Sequence, residues 1–213
     1  MKILAVEGSA SVASVALMED GKILSEITTD NGLTHSETLM KYVDMALELA
    51  GMKAGEVDYI AVSKGPGSFT GLRIAGALVK GLALSLDKKV IPVSTLEAMA
   101  VDMGTEGDYV CVTMDARRDN VYTGVYKAVS LEPVLDECCI SRTELREKIA
   151  CLSGRVVMAG DEGGVSGMAR ASKVAKLAYL RVLESGSIAV TADDLVLNYL
   201  KESSAKPNYK ELV

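Results

Sequence analysis

The sequence predicts an α/β protein of two lobes, each a mixed β-sheet flanked by helices. The order strand, strand, strand, helix, strand, helix runs twice along the 213 residues. An apolar fraction of 49% against 24% charged residues is enough for a sizeable core. Asp-Gly in the turn Glu19-Asp20-Gly21, between two apolar runs, is a hairpin signal. The halves show no obvious identity to each other, so the duplication is one of element order. The lobes are expected at residues 1–104 and 105–213, with a cleft where strand-to-helix loops meet.

Residues 2–6 are a short apolar run, 14–18 alternate small and apolar side chains, and 22–29 follow the Asp-Gly turn. These are the first three strands. After Asn31-Gly32 a helix runs from about Ser36 to Ala50 and stops at Gly51. Residues 57–63 form a strand, 65–71 a loop, 72–86 a second helix and 90–93 a buried strand. In the second half, 109–114 and 121–126 flank the polar turn 115–120, and 134–138 supply a third strand. Ser141 and Glu144 have capping-box spacing at the head of a helix over 141–150. A strand at 156–159, a loop at 160–167 and a helix at 171–185 complete the repeat.

Composition removes several function classes. Net charge is −6, and the strongest basic clusters are the doublets Lys88-Lys89 and Arg117-Arg118. A chain that grips nucleic acid alone carries a basic face, so any nucleic-acid contact would be mostly a partner's work. The four cysteines, Cys111, Cys138, Cys139 and Cys151, contain no C-x-x-C pair. The opening apolar run stops at Glu7, which predicts no signal peptide, reduced thiols and a cytoplasmic protein. The longest mostly apolar stretch, 74–86, is interrupted by Lys80 and reads as too short to span a bilayer. His35 is the single histidine, and Leu39 stands four residues beyond it, which excludes a two-histidine helical metal site. No G-x-S-x-G elbow occurs.

Four loops could carry chemistry. Lys64-Gly65-Pro66-Gly67-Ser68-Phe69-Thr70-Gly71-Leu72-Arg73 joins a strand to a helix. Ser68 and Thr70 can cap that helix, and its N-terminal amides would favour an anion. The segment is neither a Walker loop nor G-x-G-x-x-G, and it reads equally as a structural turn. Glu7-Gly8-Ser9 could orient a metal or phosphate, or be a plain turn. Asp115-Ala116-Arg117 could be a surface pair, and Gly160-Asp161-Glu162-Gly163-Gly164 could approach a purine or be an ordinary loop. The candidate nucleotide or anion ligands are therefore Glu7, Ser9, Gly65, Gly67, Ser68, Thr70, Asp115 and Arg117.

Two helices carry more apolar surface than one sheet can bury. On 36–50 the charges Glu37, Lys41, Asp44 and Glu48 make one narrow stripe, and Leu39, Met40, Tyr42, Val43, Met45, Ala46, Leu47 and Leu49 occupy the rest. On 72–86 only Arg73 and Lys80 are charged, and Gly76, Ala77, Gly81 and Ala83 admit close approach by another helix. The helices either pack on one another or present a face to a partner.

Gly65-Pro66-Gly67-Ser68-Phe69-Thr70-Gly71-Leu72-Arg73-Ile74 resembles the signature of the TsaB (YeaZ) family. Ile3-Leu4-Ala5-Val6-Glu7, His35-Ser36-Glu37-Thr38-Leu39, Ser94-Thr95-Leu96-Glu97-Ala98, Asp115-Ala116-Arg117 with Val121-Tyr122, and Asn198-Tyr199-Leu200-Lys201 are similar to the family in its order. The resemblance implies a two-lobed ASKHA fold of the actin, Hsp70 and sugar-kinase type, which is ribonuclease-H-like. It implies a non-catalytic subunit for making N6-threonylcarbamoyladenosine on tRNA. That subunit binds and activates a TsaD-like transferase, whose metal is held by two helical histidines, with a small TsaE-like ATPase completing the assembly. It implies docking through helices 35–50 and 71–86, hence through His35, Leu39, Met40, Val43, Leu47, Arg73, Ile74, Ala77, Leu78 and Gly81. It also implies a homodimer through the same helices when the partner is absent, tRNA contact only through the complex, and no metal of its own. No cofactor is assigned to the chain alone, and the resemblance admits ATP or ADP in the complex. Glu7 stands where the family usually has Asp, and Lys201 where it has Arg. The competing expectation is a free-standing ATP-dependent phosphotransferase or ATPase working in the cleft through Asp115. Peptidase activity lacks both a metal pair and a nucleophile with its base.

Overall fold

The computed structural model describes residues 1–161, 168–185 and 188–200. β1 (Lys2–Glu7) pairs antiparallel with β2 (Ala13–Glu19), which pairs antiparallel with β3 (Lys22–Thr29). On its other edge β1 runs parallel to β4 (Tyr59–Ser63), and β4 parallel to β5 (Lys89–Val93). The resulting order is β3-β2-β1-β4-β5. In the second sheet β6 (Tyr109–Asp115) is antiparallel to β7 (Asn120–Lys127), β7 to β8 (Pro133–Ser141), and β9 (Val156–Gly160) is parallel to β6. Its order, β8-β7-β6-β9, is that of the first sheet without a fifth strand. Asp20 and Gly21 both have positive φ, 46° and 82°, which matches the twist of a two-residue hairpin.

The helices are α1 (His35–Leu49), α2 (Phe69–Leu86), α3 (Thr95–Ala100), α4 (Arg142–Ala150) and α5 (Ala171–Ser185). The Glu37 carboxylate accepts from the Thr34 amide at 3.1 Å, and this capping contact starts α1 one residue earlier than its apolar pattern predicts. α2 starts at Phe69 rather than 72, because Ser68 Oγ accepts from the Gly71 amide at 3.3 Å. The earlier start corrects one expectation. At 18 residues, α2 is long and apolar enough to cross a membrane by length and composition. Here it is a half-covered core helix, with Leu72, Ala75, Gly76, Val79 and Ala83 buried. α3 was not expected. Six residues are too few to show helical periodicity, and the helix is set by Ser94 Oγ accepting from the Glu97 amide at 3.2 Å.

Strand alternation sorts the core into layers. On β1, Leu4 and Val6 face α1 and α2, packing with Leu39, Val43, Ala46, Leu47, Val79 and Ala83. Ile3 and Ala5 face the other way, into one continuous core with Leu96 of α3, Val174 and Ala178 of α5, and Val110, Val112 and Met114 of β6. Outside the second sheet, Leu145 of α4 packs on Cys111, Val121 and Val125. The order is thus α1/α2, first sheet, α3/α5, second sheet, α4. A boundary at residue 104 falls between α3 and β6, yet α3 packs on β6 and β7 while α5 packs on β1 and β2. After α5, Val190 forms an antiparallel bridge with Val90, returning the chain to the edge of the first sheet.

Candidate functional site

The C-terminal end of β1 sits where the parallel and antiparallel parts of the first sheet meet. Glu7 is fully buried there, and its Oε1 accepts from the Ser9 amide at 2.5 Å. Burial pushes the Glu7 carboxyl up from the usual carboxylate range, against the opposing pull of Ser9, Ser63 and the Gly8 amide. Glu7 Oε2, Ser9 Oγ and Ser63 Oγ are buried without a hydrogen-bond partner. The Ser9 and Ser63 hydroxyls both stand beside the carboxyl.

The glycine-rich segment closes on this turn backbone to backbone. The Ser68 amide donates to the Ser9 carbonyl at 2.7 Å. A methyl group on Gly67 would collide with the Ser9 carbonyl oxygen, and one on Gly71 with that of Gly8. A Cβ on Gly65, whose φ is +111°, would collide with the Asn198 carbonyl oxygen, and the Asn198 amide donates to Lys64 O at 2.6 Å. Gly65, Gly67 and Ser68 thus serve close backbone approach, the structural side of the expectation, while Thr70 is exposed on the first turn of α2. His35 packs on the same turn, beside Ala75 of α2. Its Cδ2 would lie 3.0 Å from a Cβ on Gly8, and its Nε2 is buried without a partner.

Asp115 and Arg117 belong to a second cluster whose partners lie in their own half. The Asp115 amide donates to Asp161 Oδ2 at 2.6 Å, and the Arg117 amide to Asp115 Oδ1 at 3.2 Å. Asp115 therefore contacts the backbone of Arg117. The guanidinium near its carboxylate is that of Arg142, 3.5 Å away, which also stands 3.7 Å from Asp119. Arg142 was missed because it is remote in sequence from the turn it serves. The segment 162–167, including the expected purine loop's Glu162-Gly163-Gly164, lies outside the described residues. Among the described residues no group of three or more His, Cys, Asp or Glu could hold a metal ion.

The outer face of α1 and α2 divides the expected docking residues. Leu39, Val43 and Leu47 are in the core, 1%, 1% and 8% exposed, so these three are corrected: they hold α1 to the sheet and offer no surface. The exposed apolar groups of α1 lie outside that face. They are Met40, Met45 and Leu49, the last 69% exposed. On α2, Arg73, Ala77 and Gly81 are exposed, Ile74 and Leu78 half-buried, and Leu84 is 65% exposed. Leu49 and Leu84 were missed as surface residues. Composition shows the surplus of apolar groups, and only packing shows which of them stay outside.

The segment 188–200 then runs back along α2. Lys80 Nζ donates to Asp193 O at 3.4 Å, Leu197 lies against Gly76, and Tyr199 reaches the start of the helix. There the Arg73 guanidinium lies 3.8 Å from the centre of the Phe69 ring, and its Nε donates to Tyr199 OH at 3.4 Å. The Phe69 and Tyr199 rings are 5.1 Å apart.

A family model described as TsaD, tRNA N6-adenosine threonylcarbamoyltransferase, matches residues 22–181. The tRNA threonylcarbamoyladenosine biosynthesis protein TsaB of Bacillus subtilis is 37% identical over 127 residues, covering 60% of this chain and 56% of that protein. The matched part thus spans little more than half the length of that relative. The TsaB of Buchnera aphidicola from Acyrthosiphon pisum is 31% identical over 167 residues, 75% of this chain and 74% of that one. A solved Pseudomonas aeruginosa structure, described as similar to peptidase YeaZ, superposes with a TM-score of 0.77 at 27% identity, over 94% of this chain and 99% of that one. With the doubled sheet order, these likenesses establish the expected ASKHA-like α/β class. The chain belongs to the TsaB (YeaZ) family.

Proposed function

We propose that this chain is a non-catalytic subunit of a tRNA N6-threonylcarbamoyladenosine-forming complex, and that it docks a TsaD-like transferase on the outer face of α1 and α2. The observation that carries this reading is the exposed apolar face itself. Met40, Met45 and Leu49 of α1 and Leu84 of α2 are exposed large apolar side chains, and Ala77 and Gly81 of α2 are exposed small residues. A monomer gains nothing from such a patch, whereas a partner helix could approach closely over the small side chains. The TsaD-like partner supplies the catalytic metal, a TsaE-like ATPase joins the assembly, and tRNA is met through the complex in the cytoplasm. Without the partner, the same face pairs with a second copy.

The alternative, a free-standing phosphotransferase or ATPase working in the cleft through Asp115, would also need a phosphate cradle, for which Glu7 and the glycine-rich segment are the candidates. The residues there do not fit ATP or ADP. Glu7 is a buried carboxyl, and the backbones of Gly67 and Gly71 are already closed on Ser9 and Gly8.

The test is co-expression with the same organism's TsaD homologue. Ala77→Glu and Leu84→Glu should each abolish co-purification while leaving the melting temperature of the isolated chain unchanged. Leu47→Glu cannot serve, because it places a charge in the core. A complex that survives both surface variants overturns the reading.

A further inference from the structure

We propose that Glu7, Ser9 and Ser63 line an internal site for ordered water, a neutral hydrogen-bonding guest, and that this site is closed to phosphate. The strand register brings the groups together. Val6 pairs with Val62, so Glu7 and Ser63 end neighbouring strands, and both follow the face of Ala5 and Ala61 that looks into the inter-sheet core. Glu7, Ser9 and Ser63 are each 0% exposed, and each carries a side-chain oxygen without a partner. Buried polar atoms left unpaired are costly, and a water molecule with two to four polar contacts is the usual remedy in a small polar space. Three oxygens that can each donate or accept are a suitable lining for it, once the carboxyl carries its proton.

Phosphate is a poor guest for two reasons. The protonated Glu7 carboxyl and the Ser9 and Ser63 hydroxyls are all neutral, so none of them balances an anion's charge. Four amides at the nearby helix N-termini are already committed. The Ala171 and Ser172 amides of α5 donate to Ser14 Oγ at 3.1 Å and Glu26 Oε1 at 2.9 Å, and Ser14 is the cross-strand partner of Glu7. At the head of α2, the Gly71 amide is taken by Ser68 Oγ and the Ser68 amide by Ser9 O. These four amides are therefore not available to a phosphate.

Three measurements on the full chain decide the matter. Infrared spectra taken as pH is raised past the ordinary carboxylate range should still show the carbonyl band of a buried protonated carboxylic acid, lost in Glu7→Gln. A high-resolution crystal structure should place ordered water within hydrogen-bond reach of Glu7 Oε2 and Ser63 Oγ. Inorganic phosphate and ATP, titrated separately, should leave the melting temperature unchanged. Should Glu7→Gln fail to fold, the spectrum of the unaltered protein and its crystal structure still decide. An ionised Glu7, a dry site, or a phosphate-induced stabilisation that Ser9→Ala removes would each overturn the proposal.

Discussion

The Ser68 amide donates to the Ser9 carbonyl across 2.7 Å, fastening the N-cap of α2 to the turn that leaves β1. The glycines around it exist for that fastening. Gly67→Ala would drive a methyl group into Ser9 O, and the backbone would have to part to admit it. Overpacking of this kind costs about 1–3 kcal/mol. Chemical denaturation should show a loss of at least that size, and an unchanged midpoint would refute the close-approach role.

The two faces of α1 should respond oppositely to substitution. Leu47→Ala removes a core side chain and should cost about 2–5 kcal/mol. Met45→Ala, at an exposed position, should change stability by no more than about 0.5 kcal/mol yet weaken binding of a TsaD-like partner. Thermal melts and pull-down with the same two proteins separate the roles.

Ser94 should matter more than an ordinary cap. Its Oγ accepts from the Glu97 amide and donates to Glu137, whose Oε1 also accepts from Tyr126 OH at 2.9 Å. Arg181 of α5 meanwhile pairs with Glu97. Ser94→Ala strips α3 of its cap and leaves Glu137 short of a donor. The expected loss exceeds the ~1 kcal/mol of a typical cap, and Ser94→Thr should restore part of it.

Stability should fall away on both sides of an optimum pH. Glu7 holds its proton more tightly when folded, so its contribution is complete below its ordinary value of 4.5 and is lost as pH rises through the folded value. Glu37, held down by the Thr34 hydroxyl and amide, and Asp108, held down by the Thr105 amide and hydroxyl, act in the other direction. Their contributions are present at higher pH and are lost as pH falls. Glu7→Gln should reduce the decline on the alkaline side, leaving the part that comes from Glu97, whose carboxyl burial also pushes up, and keep the acid limb. A pH series of melting temperatures for the two proteins checks this, and an unaltered alkaline decline in the variant would contradict the assignment.

Local pattern was enough for the order of the nine strands and of four of the five helices, α3 being the exception. Apolar alternation located β1 through β9, Asp20-Gly21 set the first hairpin, and Gly51 and Ser141 marked helix ends within a residue or two. Those signals are written in neighbouring residues, and the backbone obeys them wherever the chain lies. The excess apolar surface of α1 and α2 was legible in the same way, as a surplus over what one sheet covers. Which side chains carry that surplus was not. Leu39 and Leu49 look alike in sequence, and the first sheet, by taking the side of α1 that meets Leu4 and Val6, buries one and leaves the other in water.

The site depended still more on contacts between distant segments. Gly67 reads equally as an anion cradle or a tight turn until the chain folds and Ser9 arrives beside it. Arg142 becomes the neighbour of Asp115 only when β8 returns alongside β7, and Tyr199 meets Phe69 only because the segment after α5 crosses back over α2. Periodicity and turn chemistry act over a few residues, so the sequence alone determined the strands, the four longer helices and their order. Close approach, burial and charge pairing are properties of surfaces brought together from far apart in the chain, and these only the tertiary structure decided.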